Sequence, residues 1–114
     1  MKLLSVGIPC YNSMAYMDKA IDSVLVCRED VEIIIVNDGS KDETDRIGKE
    51  YADKYPDCIK YVYQENGGHG QAVNTGLANA TGRYYKVLDS DDWFAENALE
   101  NIHKYCVQIE NDES

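Results

Sequence analysis

"VEIIIVNDGSKDE", residues 31 to 43, decides the fold class. Val31 to Val36 is a β-branched run broken only by Glu32, too short for an ordinary helix, and reads as a central strand. The turn residues Asn37, Asp38 and Gly39 follow. Ser40 to Glu43 then has the S-x-x-E form of a capping box, which predicts that Ser40 caps a helix with Ile47 and Tyr51 on its inner face, stopping near Pro56. Upstream, "LLSVGI" (3 to 8) reads as a strand ended by Pro9, and Met17, Ala20, Ile21, Val24 and Leu25 mark one face of a helix. Downstream, "CIKYVYQ" (58 to 64) is a strand and "NGGHG" (66 to 70) a turn. A short helix around Ala72 to Ala80 is ended by Gly82, and "YYKVLD" (84 to 89) is the next strand. Leu99, Ile102, Cys106 and Ile109 lie at helical spacing near the end. Strands alternating with helices predict an α/β fold with a mainly parallel sheet of about four strands.

The chain has 114 residues, 44% of them hydrophobic, which suits one compact core and predicts a single domain over 1–114. With 21 acidic against 11 basic residues the net charge is −10, and no clustered Lys/Arg footprint offers itself to nucleic acid. Cys10, Cys27, Cys58 and Cys106 form no C-x-x-C pair and the two histidines lack metal spacing, so buried free thiols and a reducing, cytoplasmic setting are expected. No apolar run approaches membrane-spanning length, and "MKLLSVGIPCYN" turns polar too soon for a signal peptide.

Three stretches distant in sequence fall at carboxyl ends of the expected strands: "PCYN", "NDGS" and "DSDD". Open α/β sheets bind ligands there. The acids Asp89, Asp91 and Asp92 crowd into four positions. One carboxylate would suffice to cap a helix beginning near Phe94, whereas three repel one another unless a cation offsets them; oxygen ligands favour Mg²⁺ or Mn²⁺.

Taken in order, "LLSVGIPCYN" (3 to 12), "VEIIIVNDGSKDET" (31 to 44) and "NGGHGQAVNTGLANATGRYYKVLDSDD" (66 to 92) resemble the amino-terminal half of a family 2 glycosyltransferase, over roughly residues 3 to 100. The resemblance implies the GT-A fold, with its Rossmann-like sheet flanked by helices. It also implies an enzyme of polysaccharide biosynthesis that moves a sugar from a nucleotide diphosphate sugar, usually UDP-linked, to a glycan or lipid-linked acceptor, with Mn²⁺ or Mg²⁺ on the diphosphate. It sets Pro9 and Tyr11 against the nucleotide, with Asp38 accepting the imide N–H of the base. The D-x-D segment of Asp89, Ser90 and Asp91 would meet the donor: Asp89 at the ribose and metal shell, Asp91 on the cation, and Asp92 as a helper. Gly67 through Asn74 would line the donor site. Where relatives often carry a basic residue before the asparagine this chain has Val73, so Gln71 or His69 is the expected substitute; a solvated loop histidine is the plain alternative for His69. Relatives often carry two acids in the second motif. Here Asn37 precedes Asp38 and is expected to serve the turn.

The glycine-rich turn also resembles a dinucleotide-binding motif, but "GHGQAV" lacks the third glycine and follows strand three instead of strand one. A nucleotidyltransferase would want a glycine-rich loop with a basic residue after strand one, where "PCYNS" stands. Family members continue into an acceptor-binding half that supplies the catalytic base, which is expected outside these residues along with any membrane association. An apolar face meant for that half predicts self-association. A non-catalytic nucleotide-binding or assembly module remains the alternative. Asp42, Asp45, Glu50, Glu100 and Glu110 are expected on solvated faces, the tyrosine pairs Tyr61/Tyr63 and Tyr84/Tyr85 in strand packing, and Trp93 as a packing anchor, with a sugar-stacking platform as its alternative.

Overall fold

The computed structural model describes residues 3–25 and 29–90. Seven elements follow one another: β1 (Leu4–Cys10), α1 (Met17–Leu25), β2 (Val31–Asp38), α2 (Thr44–Lys54), β3 (Ile59–Gln64), α3 (His69–Asn79) and β4 (Tyr84–Val87). The strands form a parallel sheet in the order β3-β2-β1-β4. The chain steps outward from β1 to β2 and β3, then crosses back to lay β4 on the other side of β1. That reversal puts the topological switch between β1 and β4, where carboxyl ends diverge into a crevice.

Side-chain alternation divides the core between the two faces of the sheet. Leu4, Val6 and Ile8 of β1, with Val31, Ile33 and Ile35 of β2, pack with Met17, Ala20, Ile21, Val24 and Leu25 of α1. Ile34 and Val36 turn to the opposite face and meet Ala72 of α3. Burial on both faces is why β2 reads as an apolar run interrupted only by Glu32, and each apolar side chain contributes about 1.5–3 kcal/mol over leaving it in water.

Pro9 does not end β1, which continues to Cys10. Pro9 shares its parity with Gly7, whose carbonyl accepts the Leu88 N–H at 2.9 Å, so the missing proline N–H falls on the β4 side. Pairing with β4 ends at Gly7–Val87, while pairing with β2 runs on through Pro9–Val36 and Cys10–Asn37. The proline is tolerated because β4 has already left.

Ser40 does not cap α2. The helix starts four residues later at Thr44, where the Asp42 carboxylate accepts the Thr44 N–H at 2.9 Å. Ser40 Oγ instead accepts the Asn12 N–H at 2.9 Å, and Glu43 pairs with Arg46 instead of reaching back. The Asp42–Thr44 bond is a local Asx turn just ahead of the helix, and the N-cap position, Glu43, makes no side-chain cap. Asp42 is therefore a loop brace and not a solvated surface acid. Asp45 is on the exposed face of α2 as expected, and the Tyr61 hydroxyl and Lys49 beside it hold its carboxyl below the usual range. Asn37 serves the turn as expected, its Oδ1 accepting the Ser40 N–H at 3.0 Å. Helix α3 begins at His69, inside the glycine turn, three residues before the expected Ala72. Strand β4 stops at Val87, short of Asp89.

At the amino-terminal edge of the sheet, Glu32 is buried and fastens the α3–β4 connection. It accepts the Ser5 hydroxyl at 2.7 Å and the Thr81 N–H and hydroxyl each at 2.8 Å, and pairs with Lys60 Nζ at 3.1 Å. Burial alone would raise its pKa, but these donors outweigh burial and hold the carboxyl down at about 2. Asp91, Asp92, Trp93, Glu100, Glu110, Cys27, Cys106 and the expected last helix lie outside the described residues.

Candidate functional site

Pro9, Cys10 and Tyr11 from the end of β1, Asp38 from the end of β2, and Asn66, Gly68, His69 and Ala72 from the turn into α3 line a cleft of about 320 Å³. It opens at the carboxyl ends of the strands, where a doubly wound sheet takes its ligand. A larger cavity, about 490 Å³, lies between α1 and α2 and shares no residue with this cleft. Size does not choose between them; the strand ends do.

Asp38 is the organising group. In register it faces Gln64 of β3, whose Nε2 donates to its Oδ1 at 2.9 Å. Oδ1 also accepts the Gly67 N–H at 2.8 Å, and Oδ2 accepts the Gly68 N–H at 3.2 Å. Burial would raise its pKa, but the Gln64 amide and the two backbone donors overcome burial and hold the carboxyl below its ordinary value. Asp38 is thus an ionised acceptor with Oδ2 still able to take a further donor from the cleft.

Beside it the Tyr11 ring is half exposed, at 50%, and free to stack on a planar ligand. The α3 helix starts in the cleft wall at His69, with Gly68 as its N-cap and no side chain capping it, so its first N–H groups and positive dipole end are open to an anion. Gly68 takes φ +93°, a conformation glycine permits.

Among the acids, the described residues include only Asp89, exposed just past β4, with its Oδ1 3.7 Å from His69 Nε2. The Asp89 carboxylate is an exposed oxygen donor of the kind that suits hard divalent ions such as Mg²⁺ and Mn²⁺, so it fits a cation at this mouth, with the His69 imidazole beside it. Among the described residues no group of three His, Cys, Asp or Glu is assembled. Ser90 turns its hydroxyl to Ser13 Oγ, 2.6 Å away.

Of the residues expected from the sequence, Pro9, Tyr11 and Asp38 share the cleft, Gly67 is tied to Asp38, and Asp89 meets His69. Gln71 and Asn74 are exposed on α3 and do not line the cleft; position 67 sits close under the Gln71 amide, where a Cβ would approach Oε1 to 2.0 Å. Missed were Cys10 and Asn66 in the cleft wall and Ser13 behind it. The Cys10 thiol is pushed up to about 12 by burial, which leaves it an inert floor. Cys10 and Cys58 are both buried, as expected. No helix among the described residues is long and apolar enough to cross a membrane.

The same arrangement of chain occurs in proteins already known. The chain is 44% identical over 110 residues to an uncharacterized glycosyltransferase, RP339, of Rickettsia prowazekii; the alignment covers 96% of this chain and 33% of that one, so the chain spans about a third of its relative. The crystal structure of Staphylococcus aureus TarS 1-349 in complex with UDP-GlcNAc superposes with a TM-score of 0.79 at 29% identity, covering 95% of this chain and 32% of that one. The mannosyltransferase PcManGT from Pyrobaculum calidifontis, in complex with GDP-Man and Mn²⁺, superposes with a TM-score of 0.73 at 28% identity, covering 90% and 31%. The family model for glycosyl transferase family 2 matches residues 5–112, and the chain belongs to that family, with the parallel α/β sheet of its GT-A fold.

Proposed function

We propose that this chain is the donor-binding part of a glycosyltransferase that takes its sugar from a UDP-sugar, with Mn²⁺ or Mg²⁺ at the diphosphate, for transfer to a glycan or lipid-linked acceptor. The observation that carries the reading is the convergence of Asp38, Tyr11 and the α3 N-terminus on one cleft beside Asp89. Two neighbours bound to nucleotide sugars, one with Mn²⁺, support it.

Asp38 Oδ2 accepts an N–H from the base edge. Uracil and guanine present one there, whereas the corresponding ring nitrogens of adenine and cytosine are acceptors that face the carboxylate repulsively. Tyr11 covers the base and tolerates any ring. The α3 N-terminus receives phosphate oxygens through backbone donors. Asp89, with Asp91 and Asp92 following in sequence, would hold the cation, with His69 beside them, and a bound divalent ion would offset the charge gathering on the leaving diphosphate. The catalytic base belongs to the acceptor half in this reading.

Backbone amide shifts on titration with UDP test the assignment. Tyr11, Asp38, Gly68 and His69 are expected to move while Glu50 and Tyr51, in the α1–α2 cavity, stay still. The reverse pattern would assign the ligand to the other cavity.

A further inference from the structure

Behind the cleft, Ser13 joins three loops that come from three different strands. It is 1% exposed. Its N–H donates to Thr44 Oγ1 at 2.9 Å, and Thr44 is fixed in turn by the Asp42 carboxylate. Its Oγ accepts the Tyr11 N–H at 3.1 Å, donates to the Tyr11 carbonyl at 3.3 Å, and lies 2.6 Å from Ser90 Oγ. A serine hydroxyl has one proton and two lone pairs. The 2.6 Å contact is a hydrogen bond between the two hydroxyls in which either can donate, so Ser13 is held from the Tyr11, Thr44 and Ser90 sides together. Neighbouring side-chain-to-backbone bonds brace the same junction: Lys41 N–H to Asn12 Oδ1 at 2.8 Å and Met14 N–H to Asp42 Oδ2 at 3.2 Å. Asn12 holds φ +48° to make this exchange.

The other end of this network is the acidic turn. Ser90 stands between Asp89 and Asp91 in sequence, just past the point where β4 has stopped pairing with β1. From the last ladder bond, Leu88 N–H to the Gly7 carbonyl, the chain at Asp89 has left the sheet. The Ser90 hydroxyl is what returns it to the β1 side.

We propose that Ser13 and Ser90 form a latch that positions Asp89 against the nucleotide cleft, making Ser13 a positioning residue through which the base-binding end of β1 and the Asp89 carboxylate are held in one geometry. The inference rests on the donor-binding reading above. Its consequence is specific: losing the latch weakens the contribution of the metal to nucleotide binding, not only binding itself.

The readout is the factor by which Mn²⁺ tightens UDP binding, obtained by calorimetric titration with Mn²⁺ and again in EDTA. A merely structural role lowers both affinities and leaves this factor unchanged. Ser90→Ala and Ser13→Ala are each expected to reduce it about three- to tenfold, the scale of one hydrogen bond. The double variant is expected to reduce it no further, and Ser90→Thr, which keeps the hydroxyl, to stay within about twofold of wild type. Should Ser13→Ala fail to fold, the half-buried Ser90 supports the comparison through its Ala and Thr variants. An unchanged factor in Ser90→Ala, or a double variant whose loss is the product of the two singles, overturns the latch while the metal reading stands. A wild-type chain whose UDP affinity ignores Mn²⁺ overturns the metal reading and the latch with it.

Discussion

Asp38 Oδ1 accepts the Gly67 N–H at 2.8 Å, so a single carboxylate ties the end of the central strand to the glycine turn that starts α3. It braces the 66–68 turn through both carboxylate oxygens. Reader and brace are separable. Asp38→Ala is expected to lower the melting temperature, to weaken UDP by about 1.5–3 kcal/mol, and to narrow the preference for UDP over CDP. Gln64→Ala removes a donor to Asp38 but leaves Oδ2 free, and is expected to lower stability with the UDP-to-CDP ratio intact. Melting curves and titrations of both variants check this, and an unchanged ratio in Asp38→Ala contradicts it.

Gly39 and Asn66 meet where the same two turns touch. Gly39 takes φ +69°, and a Cβ there would stand 2.8 Å from the Asn66 nitrogen. Gly39→Ala is expected to destabilise the chain by about 1–3 kcal/mol and, because Asn66 lines the cleft, to weaken UDP as well. Gly70, with open space around its Cβ position in the first turn of α3, is the contrast: Gly70→Ala is expected to leave stability unchanged or to raise it by up to about 1 kcal/mol. Urea denaturation separates the two, and equal effects would contradict the close approach.

Much of this was legible in the sequence, for physical reasons that differ by residue. The run Val31–Val36, broken only by Glu32, announced a central strand, and the spacing of Met17, Ala20, Ile21, Val24 and Leu25 gave the buried face of α1. Pro9, Tyr11 and Asp38 could be brought together because parallel strands bring their carboxyl ends to one edge. The strand order was not legible, since it depends on which strands pair across the chain and not on local pattern. Nor was the role of Ser13: serine after an asparagine looks like any turn residue, and only the fold reveals Thr44 and Ser90 beside it. Nor was the start of α2 legible: the S-x-x-E pattern pointed to Ser40, but Ser40 Oγ is drawn to the Asn12 N–H of another loop, a contact only the fold brings about.

Glu32 carries a pH dependence of known sign. Its carboxyl lies at about 2 in the folded chain against the ordinary 4.5, so its contribution is fully present above pH 4.5 and is lost as the pH falls toward 2. Glu32→Gln is expected to cost about 1–3 kcal/mol at neutral pH. The difference between wild type and variant should shrink as acid is added, and urea titrations at a series of pH values read it directly. A difference that stays constant down to pH 2 would mean that Glu32 is not held ionised by Ser5, Thr81 and Lys60.

Turnover is expected to need more than this chain. With the catalytic base proposed to belong to the acceptor half, the 114-residue chain mixed with a UDP-sugar and a candidate acceptor is expected to give no sugar transfer. Robust metal-dependent transfer would relocate the base to a residue within it.

Calorimetric titration of UDP into the chain, first with Mn²⁺ and then with EDTA, bears most directly on the claim that the cleft between Tyr11, Asp38 and α3 holds a nucleotide diphosphate. Saturable binding with a dissociation constant on the order of 1 mM or tighter is expected, weakened at least about tenfold by EDTA and weaker for CDP than for UDP. UDP and CDP binding alike, with EDTA changing neither, would contradict it.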